Sequence, residues 1–330
     1  MNAPYPWLAT RWQRLLAQKT HPPQALLIVG PAGVGKGALA RTWAQTLLCE
    51  APQASGDACG VCEACHWFAA GTHPDYRVLT LLEKENDKGE TRLATEIVVD
   101  QAREAVEFVQ LSTYRAGRRV VLVQPADALN LAAANALLKV LEEPPLNTSF
   151  LLVSDQPQRL LPTIRSRCTR LDVGLPPQQD ALQWLCDNEI TQAEEMLALS
   201  GGAPLKVVNW TETGDLAERS EILQMLSRPR SLDPVARAEA WKSLNPRIWH
   251  TIAYKWLCDM MATQQHSTAR FNPDFSEALV KLGEHADLFR LLELAKMHSE
   301  QGRVVIHPLN RQLQLEEWLI RYKHVFIDSA

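Results

Sequence analysis

The sequence predicts an α/β domain followed by an all-α region. In the first half of the chain, short apolar runs alternate with helix-like segments, an alternation typical of a doubly wound parallel sheet. Beyond the break at Leu175-Pro176-Pro177 the pattern is helical to the end of the chain. The chain has 330 residues, more than one ordinary hydrophobic core needs, so we expect two or three domains.

The predicted strands are apolar runs, and the predicted helices lie between them. The strands are expected at residues 25–29, 76–82, 120–123 and 149–154, and the helices at residues 37–48, 100–109 and 127–143. Residues 83–95 are strongly charged, and we expect a mobile loop there. For residues 263–275 the pattern leaves a loop and a break within a helix equally open.

Two breaks in the pattern set the expected domain boundaries. The expected domains are residues 1–174 (α/β), 175–212 (a small helical domain) and 213–330 (a larger helical domain). Four large aromatic residues are expected to form the core of the last domain: Trp241, Trp249, Trp256 and Trp318.

Composition excludes several classes of protein. With 46% hydrophobic and 22% charged residues, the chain is typical of a folded globular protein. Its formal net charge of −4 argues against strong DNA binding by the isolated chain. Residues 1–16 lack the apolar run of a signal peptide, and no stretch is apolar enough for a membrane helix, so we expect a cytoplasmic protein.

The segment Gly30-Pro-Ala-Gly-Val-Gly-Lys36 matches the G-x-x-x-x-G-K part of a phosphate-binding loop. It lies between a predicted strand and a predicted helix, where Gly30, Gly33 and Gly35 would let backbone N–H groups face a phosphate. Lys36 would neutralise the β and γ oxygens of a nucleotide. Gly37, however, stands where a Ser or Thr hydroxyl should bind Mg²⁺.

Two further parts of an ATPase site are altered. Gln124 and Pro125 follow the strand at 120–123, where an active enzyme carries a magnesium-binding Asp and a catalytic Glu. Lys206, after the Gly201-Gly202 turn, is displaced from the place of a sensor arginine. We therefore expect no ATP hydrolysis by this chain alone and favour a phosphate loop kept for strand–helix packing. Nucleotide binding at Lys36 stays open.

Four of the seven cysteines crowd into one polar segment: Cys49, Cys59, Cys62 and Cys65. Four thiolates at such spacing suit a closed, tetrahedral structural zinc site. The Cys62-x-x-Cys65-His66 pattern also matches covalent haem attachment, but haem would need export and would leave Cys49 and Cys59 unexplained. An iron–sulfur cluster is the other alternative. His66 and His73 are expected at the surface.

Two segments carry a specific resemblance to a known family. They are Asn135-Ala-Leu-Leu-Lys-Val-Leu-Glu-Glu-Pro-Pro145 and Pro162-Thr-Ile-Arg-Ser-Arg-Cys168. The first predicts a helix with Leu137, Leu138 and Leu141 on one face, stopped by the prolines. The second contains a triplet, Ser166-Arg167-Cys168, that resembles the arginine-finger motif of the bacterial DNA polymerase III clamp loader. The resemblance extends from about Ala25 to Leu175.

That resemblance implies an AAA+ P-loop fold with a zinc module at about residues 49–65, a small helical lid and a C-terminal collar. It also implies that Arg167 acts in trans on ATP held by a neighbouring motor subunit. The implied partners are gamma/tau-type motor subunits, a delta-type subunit, the sliding clamp and, through the assembly, primed DNA. The chain would then belong to a DNA-directed DNA polymerase holoenzyme. Without the flanking matches, Arg167 would instead be assigned to a surface ion pair with Glu142 or Glu143.

Three rival functions remain. An active AAA+ motor would turn over ATP alone, which Gln124 and Pro125 argue against. A zinc-containing nucleic-acid-binding module would bind DNA in a salt-sensitive way, which the net charge argues against. A small-molecule P-loop kinase would need a hydroxyl for Mg²⁺ at position 37 and would have no use for the helical domains.

Overall fold

The computed structural model describes residues 3–85, 91–114, 117–214, 216, 218–242, 244, 246–302 and 311–326. The chain divides into two compact units, Met1–Asp180 and Ala181–Ala330. Within the described ranges, no helix is both long and apolar enough to cross a membrane.

Five parallel strands form the central sheet of the first unit. The strands in the described residues are β1 (Ala25–Val29), β2 (Tyr76–Leu79), β3 (Glu83–Glu85), β4 (Thr91–Leu93), β5 (Arg119–Val123), β6 (Thr148–Ser154) and β7 (Thr169–Asp172). The order across the sheet is β2-β5-β6-β1-β7. Every residue of β1, β5 and β6 is buried, which is why these strands appear in the sequence as continuous apolar runs. The predicted parallel α/β sheet is confirmed.

The loop expected at residues 83–95 was wrong for its described parts, which contain β3 and β4, whereas residues 86–90 lie outside the described residues. β3 and β4 pair as an antiparallel hairpin, with Glu83 opposite Leu93. β2 also ends at Leu79, earlier than predicted, and the next carbonyl, that of Thr80, accepts a 2.8 Å hydrogen bond from the Gln101 side chain. Pairing in such a hairpin is local and does not depend on burial, so the hydrophobic pattern did not indicate it.

Helices alternate with the strands along the chain and pack against the sheet. They are α1 (Ala9–Ala17), α2 (Lys36–Leu48), α3 (Glu63–Ala69), α4 (Val99–Gln110), α5 (Leu131–Glu142) and α6 (Pro162–Arg165). α5 begins later than predicted because Asn130 caps it, its side-chain oxygen accepting from the Ala133 N–H at 2.8 Å. Of the three leucines predicted to share a face, Leu137 and Leu141 are buried in the core and Leu138 is partly buried against it.

The second half of the chain is helical in its described part. Its helices are α7 (Gln178–Asp187), α8 (Ala193–Ser200), α9 (Pro204–Thr213), α10 (Arg219–Leu226), α11 (Pro234–Trp241), α12 (Pro246–Gln264), α13 (Ser276–His285), α14 (Leu288–Gly302) and α15 (Arg311–His324). α7, α8 and α9 share one hydrophobic cluster. Helices α10–α15 share another, whose core contains all four of the tryptophans predicted to lie there.

A buried aspartate organises the segment that the sequence left open. α12 ends at Gln264, and the chain then runs as a loop to a short turn at Pro273–Phe275. The carboxylate of Asp259 accepts hydrogen bonds from the backbone N–H groups of Arg270, Phe271 and Asn272 at 2.7–3.1 Å. Because these amides bind one carboxylate, the open segment 263–275 contains an ordered loop after the end of α12 and not a break within a helix.

Candidate functional sites

The four predicted cysteines lie together at the end of α2 and the start of α3. Their sulfur atoms all lie within 4.8 Å of one another. The Sγ of Cys49 is 3.6 Å from that of Cys59 and 3.9 Å from that of Cys62, and the sulfurs of Cys59 and Cys65 are 4.0 Å apart. A tetrahedral zinc with Zn–S bonds of about 2.3 Å needs sulfur–sulfur distances of about 3.8 Å, so the arrangement fits the ion closely.

Backbone amides support the sulfur atoms. The N–H of Cys59 donates to Cys49 Sγ at 3.3 Å, and the N–H groups of Val61 and Cys62 donate to Cys59 Sγ at 3.4 and 3.2 Å. Gly60, with φ of 77°, permits the tight turn that aims these amides. Amide donors stabilise thiolates, and with four sulfurs no coordination position stays open. The donor set therefore fits a closed structural zinc site.

The acidity of the thiols indicates the same need for a cation. Burial raises the pKa of Cys65 to about 12. Burial also opposes ionisation of Cys62, but hydrogen bonds from the backbones of Cys65 and Glu50 lower its pKa to about 6. The Cys65 thiol, with its raised pKa, therefore stays protonated at neutral pH unless a cation lies beside it. A bound divalent cation would supply the field that ionises it.

The two nearby histidines differ from each other. His66 is exposed, as expected, but His73 is buried, and the surface position expected for it was wrong. Its Nδ1 accepts a 3.1 Å hydrogen bond from the Asp75 N–H, so its ring stabilises the loop that precedes β2. The sulfurs of Cys62 and Cys65 converge with the two other cysteines, which argues against the haem alternative.

The cysteine segment is fastened to α1. Trp12 is fully buried and donates from Nε1 to Asp57 Oδ1 at 2.7 Å. Lys19 donates from Nζ to the Gly56 carbonyl at 2.6 Å. These contacts connect the module to the hydrophobic core, so its folding is coupled to that of the α/β unit.

The phosphate-loop motif lies between β1 and α2, as predicted, but packing accounts for two of its glycines. A Cβ on Gly30 would overlap the Val173 carbonyl oxygen at the end of β7. A Cβ on Gly35, whose φ is 94°, would lie 2.6 Å from the Tyr5 ring. Gly33 also has a left-handed φ, of 82°. Close approach of protein atoms therefore requires Gly30 and Gly35 even without a nucleotide.

Lys36 is neutralised within its own chain. Its side chain is 3% exposed, and Nζ lies 2.5 Å from Asp155 Oδ1, just beyond β6. The same ammonium donates to the Pro31 carbonyl of the loop at 2.6 Å. The cation that would face a phosphate thus already has a carboxylate and a carbonyl as partners.

The two residues that depart from an ATPase pattern touch each other. A Cβ on Gly37 would overlap the amide of Gln124, so the Gln124 side chain occupies the space where a Ser or Thr would stand. The next acidic residue, Asp127, accepts from Ser154 Oγ at 2.6 Å and from the Asp155 N–H at 3.1 Å. This part of the site is therefore filled by neutral or structurally bonded groups.

The N-terminal segment covers the loop, a feature that the sequence reasoning missed. Trp7 donates from Nε1 to the Val34 carbonyl at 2.9 Å. The Tyr5 ring stacks on Trp7, with centroids 5.1 Å apart, and lies against Gly35. The signal available was the placing of three aromatic residues within the first twelve positions, with Trp12 as the third.

Arg167 lies just beyond α6 and is partly exposed. Its Nη2 is 3.0 Å from Glu142 Oε2, and its Nη1 donates to the Thr163 carbonyl at 3.0 Å. Its buried Nε makes no hydrogen bond within the described ranges. In the isolated chain Arg167 therefore pairs with Glu142, one of the two carboxylates considered above as the alternative to a role in trans. Cys168 packs beside the core, and burial raises its pKa to about 11.

Comparisons with known proteins cover almost the whole chain. The family model described as "DNA polymerase III, delta subunit" matches residues 7–176, and "DNA polymerase III, delta subunit, C terminal" matches residues 213–324. The delta' subunit of DNA polymerase III from Pseudomonas aeruginosa is 38% identical over 96% of this chain and 97% of its own length. The Escherichia coli K12 delta' subunit is 32% identical over 97% and 95%. A solved DNA polymerase III gamma subunit-related protein from Thermotoga maritima aligns with a TM-score of 0.48 at 19% identity, covering 97% of this chain and 99% of its own.

Proposed function

The chain belongs to the family of DNA polymerase III delta-prime subunits, and on that premise we propose that it is the stator of a clamp loader. A stator is a subunit that does not hydrolyse ATP itself but acts on the ATP of a motor neighbour. The proposal rests on two features that occur together in the α/β unit. The chain's own phosphate loop is closed by protein groups, whereas Arg167 remains at the surface.

The closed loop is the first part of the argument. Lys36 is paired with Asp155, Gln124 fills the space beside Gly37, and Tyr5 lies over Gly35. Each of these contacts would have to be broken before a triphosphate and its Mg²⁺ could be held. The loop therefore acts as a strand–helix connection, and the rival reading as an autonomous motor lacks its catalytic groups.

We expect Mg-ATP to leave the stability of the native chain unchanged. A ligand that binds the folded state raises its unfolding free energy, so saturating Mg-ATP would shift the urea midpoint if Lys36 still held phosphate. By contrast, Asp155→Ala should lower the free energy of unfolding by about 1–3 kcal/mol, because it leaves the buried Lys36 ammonium without its carboxylate. Urea unfolding of both proteins, with and without Mg-ATP, measures both effects.

A variant without the buried cation is the control for that experiment. When Asp155→Ala is added to the Lys36→Met variant, the free energy of unfolding should fall much less than when Asp155→Ala is made in the native chain. The reason is that Lys36→Met leaves no ammonium to become unpaired. A clear Mg-ATP shift in the native chain would contradict the closed loop and would restore the active-ATPase alternative.

The partly exposed Arg167 is the second part of the argument. Its ion pair with Glu142 is half-exposed, and exposed pairs of this kind are worth about 0.2–1 kcal/mol. A γ-phosphoryl group of an adjacent subunit is a stronger partner for the guanidinium fork. Arg167 can therefore exchange Glu142 for the neighbour's nucleotide at small cost, as an arginine finger in trans requires.

The helical residues 213–330 would provide the collar, the part that holds the ring together. On α14, Phe289 and Leu292 are 71% and 49% exposed, and Leu288 lies on the same helical face. Large apolar side chains that share one face of a surface helix are typical of an interface with another chain. We assign that partner to the gamma/tau-type and delta-type subunits.

Phe289→Asp should weaken assembly of this chain with purified gamma/tau-type and delta-type subunits by at least about tenfold. A charge at the centre of an apolar interface is desolvated without a partner. Surface plasmon resonance on the immobilised chain measures the affinity. Val235→Asp, on the exposed face of α11, is the matched control and should leave assembly intact. Equal affinities of the native chain and Phe289→Asp would contradict the assignment of α14.

In this function the assembled loader, and not this chain alone, binds the sliding clamp and primed DNA, and it does so in the cytoplasm. The net charge of −4 gives the chain no strong attraction for DNA of its own. The zinc module holds the α/β unit in shape and takes no part in the chemistry. Salt-sensitive DNA binding by the isolated chain would favour the alternative of a zinc-containing nucleic-acid-binding module.

A further inference from the structure

A groove lies beside β2, the strand at one edge of the central sheet. In the described residues β2 pairs with β5 on one side and has no strand on its other side. α4 packs against β2 and forms one wall of the groove, whose volume is about 470 Å³. A free strand edge beside a cavity combines the two elements that bind an extended peptide: unpaired main chain and a space for side chains.

The groove is apolar, and its apolar side chains are open to solvent. Leu111 is 68% exposed, Leu82 49% and Val78 45%, and all three line the same cavity, together with Phe108. Single exposed leucines are ordinary on a protein surface. Three large aliphatic side chains around one cavity are typical of an interaction site.

The walls are held in place by buried polar contacts. Arg119, which is buried, donates to the carbonyls of Leu111 and Ser112, and its guanidinium lies 4.9 Å from the Phe108 ring centroid. Asp75 accepts from the N–H of Tyr114 at 3.0 Å. The backbone that presents Leu111 is thus fixed although its side chain is exposed. Binding to the groove would therefore cost little ordering of the protein.

The charges of the groove select the kind of partner. Glu104 and Glu107 line the α4 wall, are exposed, and pair with no cation in the part of the chain described. The guanidinium of Arg77, across the groove, lies 5.4 Å from the Phe108 ring centroid. The two carboxylates outnumber the Arg77 cation among the side chains that line the groove, so the groove disfavours the phosphates of a nucleic acid and favours lysine or arginine.

We propose that this groove, defined by Val78, Leu82, Leu111, Glu104 and Glu107, binds an extended segment of a partner protein along the edge of β2. The segment carries apolar residues and a lysine or arginine at alternate positions, because side chains two apart on a strand share a face. β2 has four residues, so the paired stretch is about 13 Å long. None of the residues that line this surface is Arg167 or belongs to α14, and the proposal does not depend on the stator function.

Fluorescence anisotropy of the full-length chain with a labelled peptide, Thr-Val-Thr-Lys-Thr-Val-Thr, tests the proposal. We expect saturable binding that Leu111→Asp weakens by at least about tenfold. The double variant Glu104→Gln/Glu107→Gln should weaken binding of this peptide by about tenfold. The same variant should not change the binding of a control peptide in which valine replaces the lysine. All three substituted side chains are exposed, and circular dichroism checks that the variants fold.

A matched leucine on another surface provides the control. Leu313→Asp, at an exposed position of α15, should leave peptide binding unchanged. The proposal is overturned by the absence of saturable binding, by equal weakening from Leu313→Asp and Leu111→Asp, or by equal affinity for a peptide with glutamate in place of the lysine.

Discussion

Arg167→Ala is expected to slow ATP hydrolysis at the neighbouring motor site by roughly three to five orders of magnitude, the range found for arginine fingers in other P-loop systems. The alanine removes a planar cation that would stabilise charge on the transferring γ-phosphoryl group. Its ion pair with Glu142 is half-exposed, so little of the effect comes from lost stability of the chain. Clamp- and DNA-stimulated turnover by the reconstituted loader measures the change.

Three further variants separate a finger from a structural arginine. Arg165→Ala, at the exposed last residue of α6 and two positions before Arg167, should leave turnover unchanged. Arg167→Lys should recover little activity, because an ammonium lacks the bidentate fork. Glu142→Ala should leave turnover within about a factor of three, since it removes only the cis partner. If Glu142→Ala were as inactive as Arg167→Ala, the ion pair itself would be the functional unit. Unchanged turnover in an assembled Arg167→Ala loader would make Arg167 a surface residue.

The parts of the fold that the sequence predicted are those in which burial is continuous. β1, β5 and β6 are buried along their whole length, so their apolar runs stand out. β7 was missed because Leu171 is its one buried residue, and the hairpin of β3 and β4 was missed because its pairing is local. Edge elements depend on main-chain hydrogen bonds, which leave no hydrophobic period in a sequence.

The sites follow the same division between local and distant contacts. The cysteine spacing and the phosphate-loop motif are local patterns: the first predicted that four sulfurs lie close enough to hold one ion, and the second that the loop joins a strand to a helix. The groups that close the loop come from elsewhere in the chain: Asp155 follows β6 and Tyr5 precedes α1. Neither belongs to a motif, so no spacing rule could predict that Lys36 would be neutralised.

Removal of Cys65, one of the four cysteines whose sulfurs lie close enough to hold a metal ion, should be the most damaging single change to the α/β unit. A structural zinc contributes about 10–16 kcal/mol to the folding of zinc-finger peptides, and Cys65→Ser removes one of four thiolates. We expect the bound zinc to fall from one per chain to none, and the free energy of unfolding of the unit to drop by several kcal/mol. Elemental analysis and urea unfolding measure the two quantities. A strong chelator should reproduce the loss in the native chain.

The matched control is Cys186→Ser, which removes an exposed cysteine of α7 and should leave zinc content and stability unchanged. Asp57→Asn separates metal binding from anchoring. It weakens the contact with Trp12 but retains all four sulfurs, so zinc should stay bound while the unit loses about 1 kcal/mol. A native chain that is metal-free and as stable as its Cys65→Ser variant would contradict the zinc site. Iron with visible absorption would instead support the iron–sulfur alternative, because the same four thiolates also suit that cluster.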